Sequence, residues 1–134
     1  MKISSLKRGY SALGASDWVG DIPFPLFEGV ALKVRRLWND EFVDLHERLT
    51  GALKASLPDG QAPSDEQAAV IERECMARAC LDDWRGLDEP YSPELAIELL
   101  ADPDAGRAFR SAVLWCAAQR EARVRAAMET DEKN

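Results

Sequence analysis

Cys80-Leu81-Asp82-Asp83-Trp84-Arg85-Gly86-Leu87-Asp88-Glu89-Pro90-Tyr91-Ser92-Pro93-Glu94-Leu95 is the stretch around which the chain is organised, because one element stops within it and another starts. Gly86 follows an apolar-periodic run and takes the left-handed conformation without steric cost, so a helix is expected to close there. Ser92-Pro93-Glu94 supplies an N-cap oxygen and a first-turn proline whose φ is already helical, so the next helix is expected to open there. Trp84 and Tyr91 flank this turn. They are expected to pack the corner, with the indole N–H and the phenol O–H kept near water or a backbone carbonyl. For Trp84, an anchor for a partner is the alternative reading, since Trp is enriched at binding hot spots.

Composition narrows the classes of protein that need considering. A chain of 134 residues with 46% apolar and 31% charged residues is long enough for a modest core and reads as one globular domain from residue 17 to 128. The formal charge of −7 argues against a sequence-independent nucleic-acid binder. No apolar run reaches the ~18 residues of a membrane span. Met1-Lys2-Ile3-Ser4-Ser5-Leu6-Lys7-Arg8 lacks the apolar core of a signal peptide, which predicts a cytoplasmic location. Three cysteines set among helix-compatible residues fit reduced core thiols better than a disulfide framework.

Upstream of the central stretch, residues 1–16 carry Ser, Gly and basic residues with little periodicity and predict a flexible arm. Residues 17–36 predict a two-stranded hairpin. Its second strand is marked by Val30, Leu32 and Val34 alternating with Ala31, Lys33 and Arg35, and its connection carries Pro23 and Pro25, which cannot donate to a ladder. A lone hairpin is marginal in water, so its apolar face is expected on helices or on a second subunit. Asn39 caps a helix over about 40–57 bearing Phe42, Leu45, Leu49 and Leu53. Ser64 with Gln67 reads as a capping box opening a helix over 65–85.

Downstream, a short helix is expected over 93–101. Asp102-Pro103 repeats the cap signal before a last helix over 104–127, whose stripe of Phe109, Val113, Cys116, Ala117, Val124 and Met128 is interrupted by one charge, Arg120. Residues 129–134 read as a frayed tail. The fold class that results is mainly α (α+β), an N-terminal hairpin packed on about four helices.

Chemical signatures are sparse. The single histidine, His46, lies beside the core stripe of its helix and reads as structural or surface rather than as a general base. Cys75 and Cys80 are five apart, which on a helix turns them about 140° from one another and not into a zinc knuckle. No base is placed for a thiol nucleophile, the acids around Asp82 to Glu98 lack the alternating ligand loop of an EF-hand, and no glycine-rich phosphate loop occurs. The chain is therefore read as a non-enzyme with no catalytic residues, no cofactor and no metal.

Charge is nevertheless segregated. Asp82 to Asp104 carries eight acids and one Arg, whereas Arg107 to Arg125 carries five Arg and one Glu. These regions are free to attract each other within the chain or to meet the opposite patch of another copy.

The hairpin with Leu32-Lys33-Val34-Arg35, the helix from Asn39-Asp40-Glu41-Phe42, Trp84-Arg85-Gly86-Leu87, the turn into Tyr91-Ser92-Pro93-Glu94 and the charged last helix together resemble the tail assembly chaperones of long-tailed bacteriophages and prophages. The resemblance covers roughly residues 17–130 and is most telling from Leu81 to Leu100. It implies a non-enzymatic protein that keeps the helical tape measure protein soluble while tail tube subunits polymerise around it, in the host cytoplasm and outside the finished virion. The implied partners are the tape measure protein and the major tail tube protein, with self-association open and neither nucleic acid nor membrane involved. A small structural adaptor or head-tail connector component is the alternative. Candidate partner-binding residues are Trp18, Leu32 and Val34 on the hairpin, Trp84 and Tyr91 at the turn, and Trp115, Arg120, Arg123 and Arg125 on the last helix.

Overall fold

The caps that the sequence marks are the caps that form in the computed structural model, which describes residues 2–133. The Asn39 side chain accepts from Phe42 N at 3.0 Å and opens helix α2 (Asp40–Ser56). Ser64 and Gln67 close the reciprocal capping box of α3 (Asp65–Cys75), at 3.1 and 2.9 Å. Ser92 accepts from Leu95 N at 3.1 Å, and Pro93 begins α4 (Pro93–Ala101). Asp102 receives the amides of Asp104 and Ala105, both at 2.8 Å, ahead of α5 (Gly106–Lys133). Each such oxygen satisfies backbone donors that the first turn leaves without an intrahelical partner.

Two strands, β1 (Asp17–Val19) and β2 (Ala31–Val34), pair antiparallel with Val19 opposite Leu32. A third strand, β3 (Leu81–Arg85), pairs antiparallel with β2 on its other side, giving a sheet in the order β1-β2-β3. The expected helix over 65–85 is corrected here. It ends at Cys75, widens into a largely buried π-helical turn over Met76–Cys80, and passes directly into β3. The reason is a bulge. Lys33 pairs with Asp83 and Val34 with Leu81, so Asp82 is the extra residue and Leu81 and Trp84, three apart, are both buried. Spacing of three, which reads as a helix in sequence, here belongs to a bulged strand.

Residues expected to form a flexible arm also fold. Helix α1 (Ile3–Gly14) lies along the C-terminal half of α5, with Gly9 against the Met128 side chain. Arg120, the charged interruption of the α5 stripe, donates to Ala12 O at 2.9 Å and so supplies a cation where the last turn of α1 exposes carbonyls. Tertiary contact, not local propensity, orders this segment; Met1 lies outside the described residues. At the other end α5 remains helical to Lys133 where a frayed tail was expected, and Asn134 lies outside the described residues.

The core lies between the inner face of the sheet and α5. Val19, Leu32 and Val34 from the strands are fully buried, as are Ala112, Val113 and Cys116 from α5, with Phe42 and the π-helical turn closing the side. Burial of each larger apolar side chain contributes about 1.5–3 kcal/mol relative to exposure. The outer face of the sheet carries Trp18, with the Arg85 guanidinium 4.3 Å from its ring centroid.

Candidate partner-binding groove

Most of the residues nominated from the sequence serve the interior. Leu32 and Val34 are completely buried and Trp84 is 6% exposed, so none presents an apolar surface without local opening. Trp84 and Tyr91 meet edge to face at 5.2 Å; the indole N–H donates to Glu89 O at 2.8 Å, and the phenol oxygen lies 2.6 Å from Ala77 O and 2.9 Å from Leu81 O. The corner packs as the two rings suggested. Trp115 is half-buried against the core, and Trp18 is half-buried under Arg85. Among the three arginines, Arg120 caps α1, Arg123 donates to Trp18 O at 3.2 Å, and Arg125 pairs with Glu121 at 2.9 Å. Arg120 and Arg123 fasten α1 and β1 to α5, whereas Arg125 is paired within α5 itself.

The segregated charges do not neutralise each other in pairs. Arg110 bonds Glu72 at 2.6 Å, while Asp82 and Glu94 are met by Arg35 and Arg78 from outside the basic segment. Asp88, Glu89, Glu98 and Asp104 make no ion pair among the described residues.

These acids border an apolar groove that sequence reasoning missed. The loop between β1 and β2 folds back over the N-terminal end of α5, and Pro25, Leu26, Phe27, Leu87, Leu99 and Ala108 line a cavity of about 380 Å³. A second cavity of about 320 Å³, lined by Trp84, Asp88, Glu89, Glu98 and Asp102 among others, adjoins it through the shared Leu87 and Leu99. Leu26 forms the rim. Phe27 N donates to Phe24 O at 3.3 Å, closing a turn with Pro25 and Leu26 at its centre, and Leu26 is held at φ 72° with 98% of its surface in water. A glycine normally occupies this position of a proline-led turn, and a branched aliphatic side chain there costs about 1–2 kcal/mol. An apolar residue both strained and fully exposed contributes nothing to the core. The signal was Pro-Leu between two phenylalanines, but without the loop's path nothing placed it beside Leu87.

Gly86 ends β3 beneath the same loop. Its φ is 90°, and any Cβ there would meet the Gly29 carbonyl, so glycine is required both for the backbone conformation and for the approach of the loop.

The thiols are placed away from chemistry. Burial, with Glu74 and Glu72 adding to it, pushes Cys75 up to about 11, and burial pushes Cys80 and Cys116 up to about 12, so all three are thiols at neutral pH. His46 lies against Trp38 and Phe42, at 5.1 and 6.4 Å between ring centroids. Among the described residues, no group of three or more His, Cys, Asp and Glu is placed to hold a metal ion, and no helix is long and apolar enough to cross a membrane.

Fold and surface thus define a small, mainly helical α+β protein with a three-stranded antiparallel sheet and an exposed apolar groove rimmed by acids. The chain belongs to the YdaY prophage protein family, whose model matches residues 37–134, from just before α2 to the C-terminus. No curated protein and no solved structure matches the chain.

Proposed function

We propose that this prophage protein is a non-enzymatic tail assembly chaperone, acting in the bacterial cytoplasm to hold a helical segment of the tape measure protein until tail tube subunits enclose it. The observation that carries the reading is Leu26, 98% exposed at φ 72° on the rim of an apolar groove. Strained backbone bearing an apolar side chain in water is the mark of a contact surface. A groove of this kind accepts the apolar face of an amphipathic helix, and its acid rim favours basic flanks on that helix. Membership in a prophage family and the resemblance of Leu81 to Leu100 to tail assembly chaperones support the same role. Three buried, protonated thiols give no support to a nucleophile.

The test is binding of the purified chain to overlapping segments of the tape measure protein from the same prophage. Leu26→Asp is the informative variant, because Asp tolerates positive φ and the side chain leaves the core untouched. Loss of about tenfold or more in affinity at unchanged melting temperature is expected. Segments that bind wild type and L26D equally, or do not bind at all, would overturn the reading, as would stoichiometric retention of the protein in purified particles, which is the behaviour of a structural adaptor.

A further inference from the structure

Helix α1 wears its amphipathicity inside out. Its small residues face α5, with Ser5 5% exposed, Gly9 buried on Met128 and Ala12 bonded to Arg120, while Ile3, Leu6 and Tyr10 are 73%, 40% and 63% exposed. Positions i, i+3 and i+7 form one stripe, so the three large apolar side chains stand together in water. The residues around them are Lys2, Lys7 and Arg8, with no acid from Lys2 to Gly14. A basic helix carrying an apolar stripe is the chemical complement of an apolar groove rimmed by Asp88, Glu89, Glu98, Asp102 and Asp104.

We propose that the occupant of the groove in the free protein is a second copy of this chain, which seats the Ile3/Leu6/Tyr10 stripe of its α1 beside Leu26 and Leu87. The groove cannot take its own α1. It lies at Ala105 to Phe109, whereas α1 packs near Val124 and Met128 of α5. At 1.5 Å per residue these sites are about 28 Å apart along one helix, and only Ala15 and Ser16 connect α1 to β1. Two different patches at opposite ends of one rod meet either reciprocally, in an antiparallel two-fold pair where each copy's α1 fills the other's groove, or head to tail in a ring or filament. Attraction between a basic helix and an acidic rim also sets the orientation and makes the contact salt-sensitive.

The experiment uses the full chain alone, so its outcome is independent of whether the tape measure protein is the client. Sedimentation at rising concentration is expected to show self-association to a dimer or beyond, weakened about tenfold between roughly 0.05 and 0.5 M salt. A variant with Ile3→Ser, Leu6→Ser and Tyr10→Ser retains a groove but no stripe, and Leu26→Asp retains a stripe but a spoiled groove. Each is expected to be monomeric, and an equimolar mixture of the two is expected to form a one-to-one dimer that grows no further. Native circular dichroism and melting temperature report folding of each variant, and Lys7→Glu, which touches only charge, is expected to weaken assembly without altering either. A monomeric wild type, assembly that survives loss of the stripe, a mixture that stays monomeric, or monomers whose α1 instead binds anionic lipid vesicles would each overturn the proposal.

Discussion

The side-chain amide of Asn39 donates to Ala79 O at 2.6 Å, tying the start of α2 to the π-helical turn forty residues later in the chain. The same amide donates to Arg36 O at 2.8 Å while the side-chain oxygen caps α2 at Phe42 N. At 7% exposure, Asn39 satisfies three backbone groups that water does not reach freely. Aspartate, ordinarily an equal N-cap, lacks the donor and sets a carboxylate against two carbonyl oxygens. Asn39→Asp is therefore expected to destabilise by about 2–3 kcal/mol, at least as much as Asn39→Ala, with the measurement being the midpoint of urea unfolding. An Asp variant as stable as wild type would show that capping alone accounts for the residue.

Gly86 and Gly29 offer a controlled comparison, because both have positive φ, of 90° and 77°, but only Gly86 has backbone where a Cβ would go. Gly29→Ala is expected to cost about 1 kcal/mol of backbone strain. Gly86→Ala is expected to cost at least about 2–3 kcal/mol, because the loop carrying Leu26 must move away from β3. Equal costs in thermal unfolding would mean that the loop yields freely.

Arg120 is expected to hold α1 in place rather than to steer a partner. Arg120→Ala should raise the hydrogen-exchange rates of amides in α1 by about tenfold or more while leaving β2 and β3 protected. The mechanism is the loss of the donor to Ala12 O together with the cation at the C-terminal end of that helix. Uniform loss of protection across the chain would point to a global role instead.

Tyr91 couples stability to alkaline pH. Burial, helped by Asp82, raises its phenol from 10.0 to about 12, so the folded chain favours the protonated form. The contribution is complete below about pH 10 and is lost as pH rises through about 12. Tyr91→Phe is expected to cost about 1 kcal/mol at neutral pH, where two carbonyls lose a donor, and to lose less further stability than wild type between pH 10 and 12. Parallel pH profiles for the two proteins would sink this assignment.

Cys80 and Cys116, held protonated in the core, are expected to react with iodoacetamide at pH 8 at least about a hundredfold more slowly in the native protein than in urea. Rapid native labelling at either position would show that the core opens locally around the sheet.

What the sequence determined by itself is the punctuation of the fold: Asn39, Ser64 with Gln67, Ser92 with Pro93, and Asp102 each open the helix expected of them, because a cap is a contact between residues three apart. The alternation of Val30, Leu32 and Val34 likewise marks β2, and Trp84 and Tyr91 pack their corner. Only the tertiary structure decided that Leu81 to Arg85 is a strand, because the bulge at Asp82 gives Leu81 and Trp84 a helical spacing and the deciding hydrogen bonds come from β2, nearly fifty residues away. It alone decided that residues 3–14 are helical, since α5 supplies the packing and Arg120 the cap. The groove, too, exists only where the β1–β2 loop, Leu87 and the start of α5 converge, because a surface made from three distant segments has no period or spacing of its own along the chain.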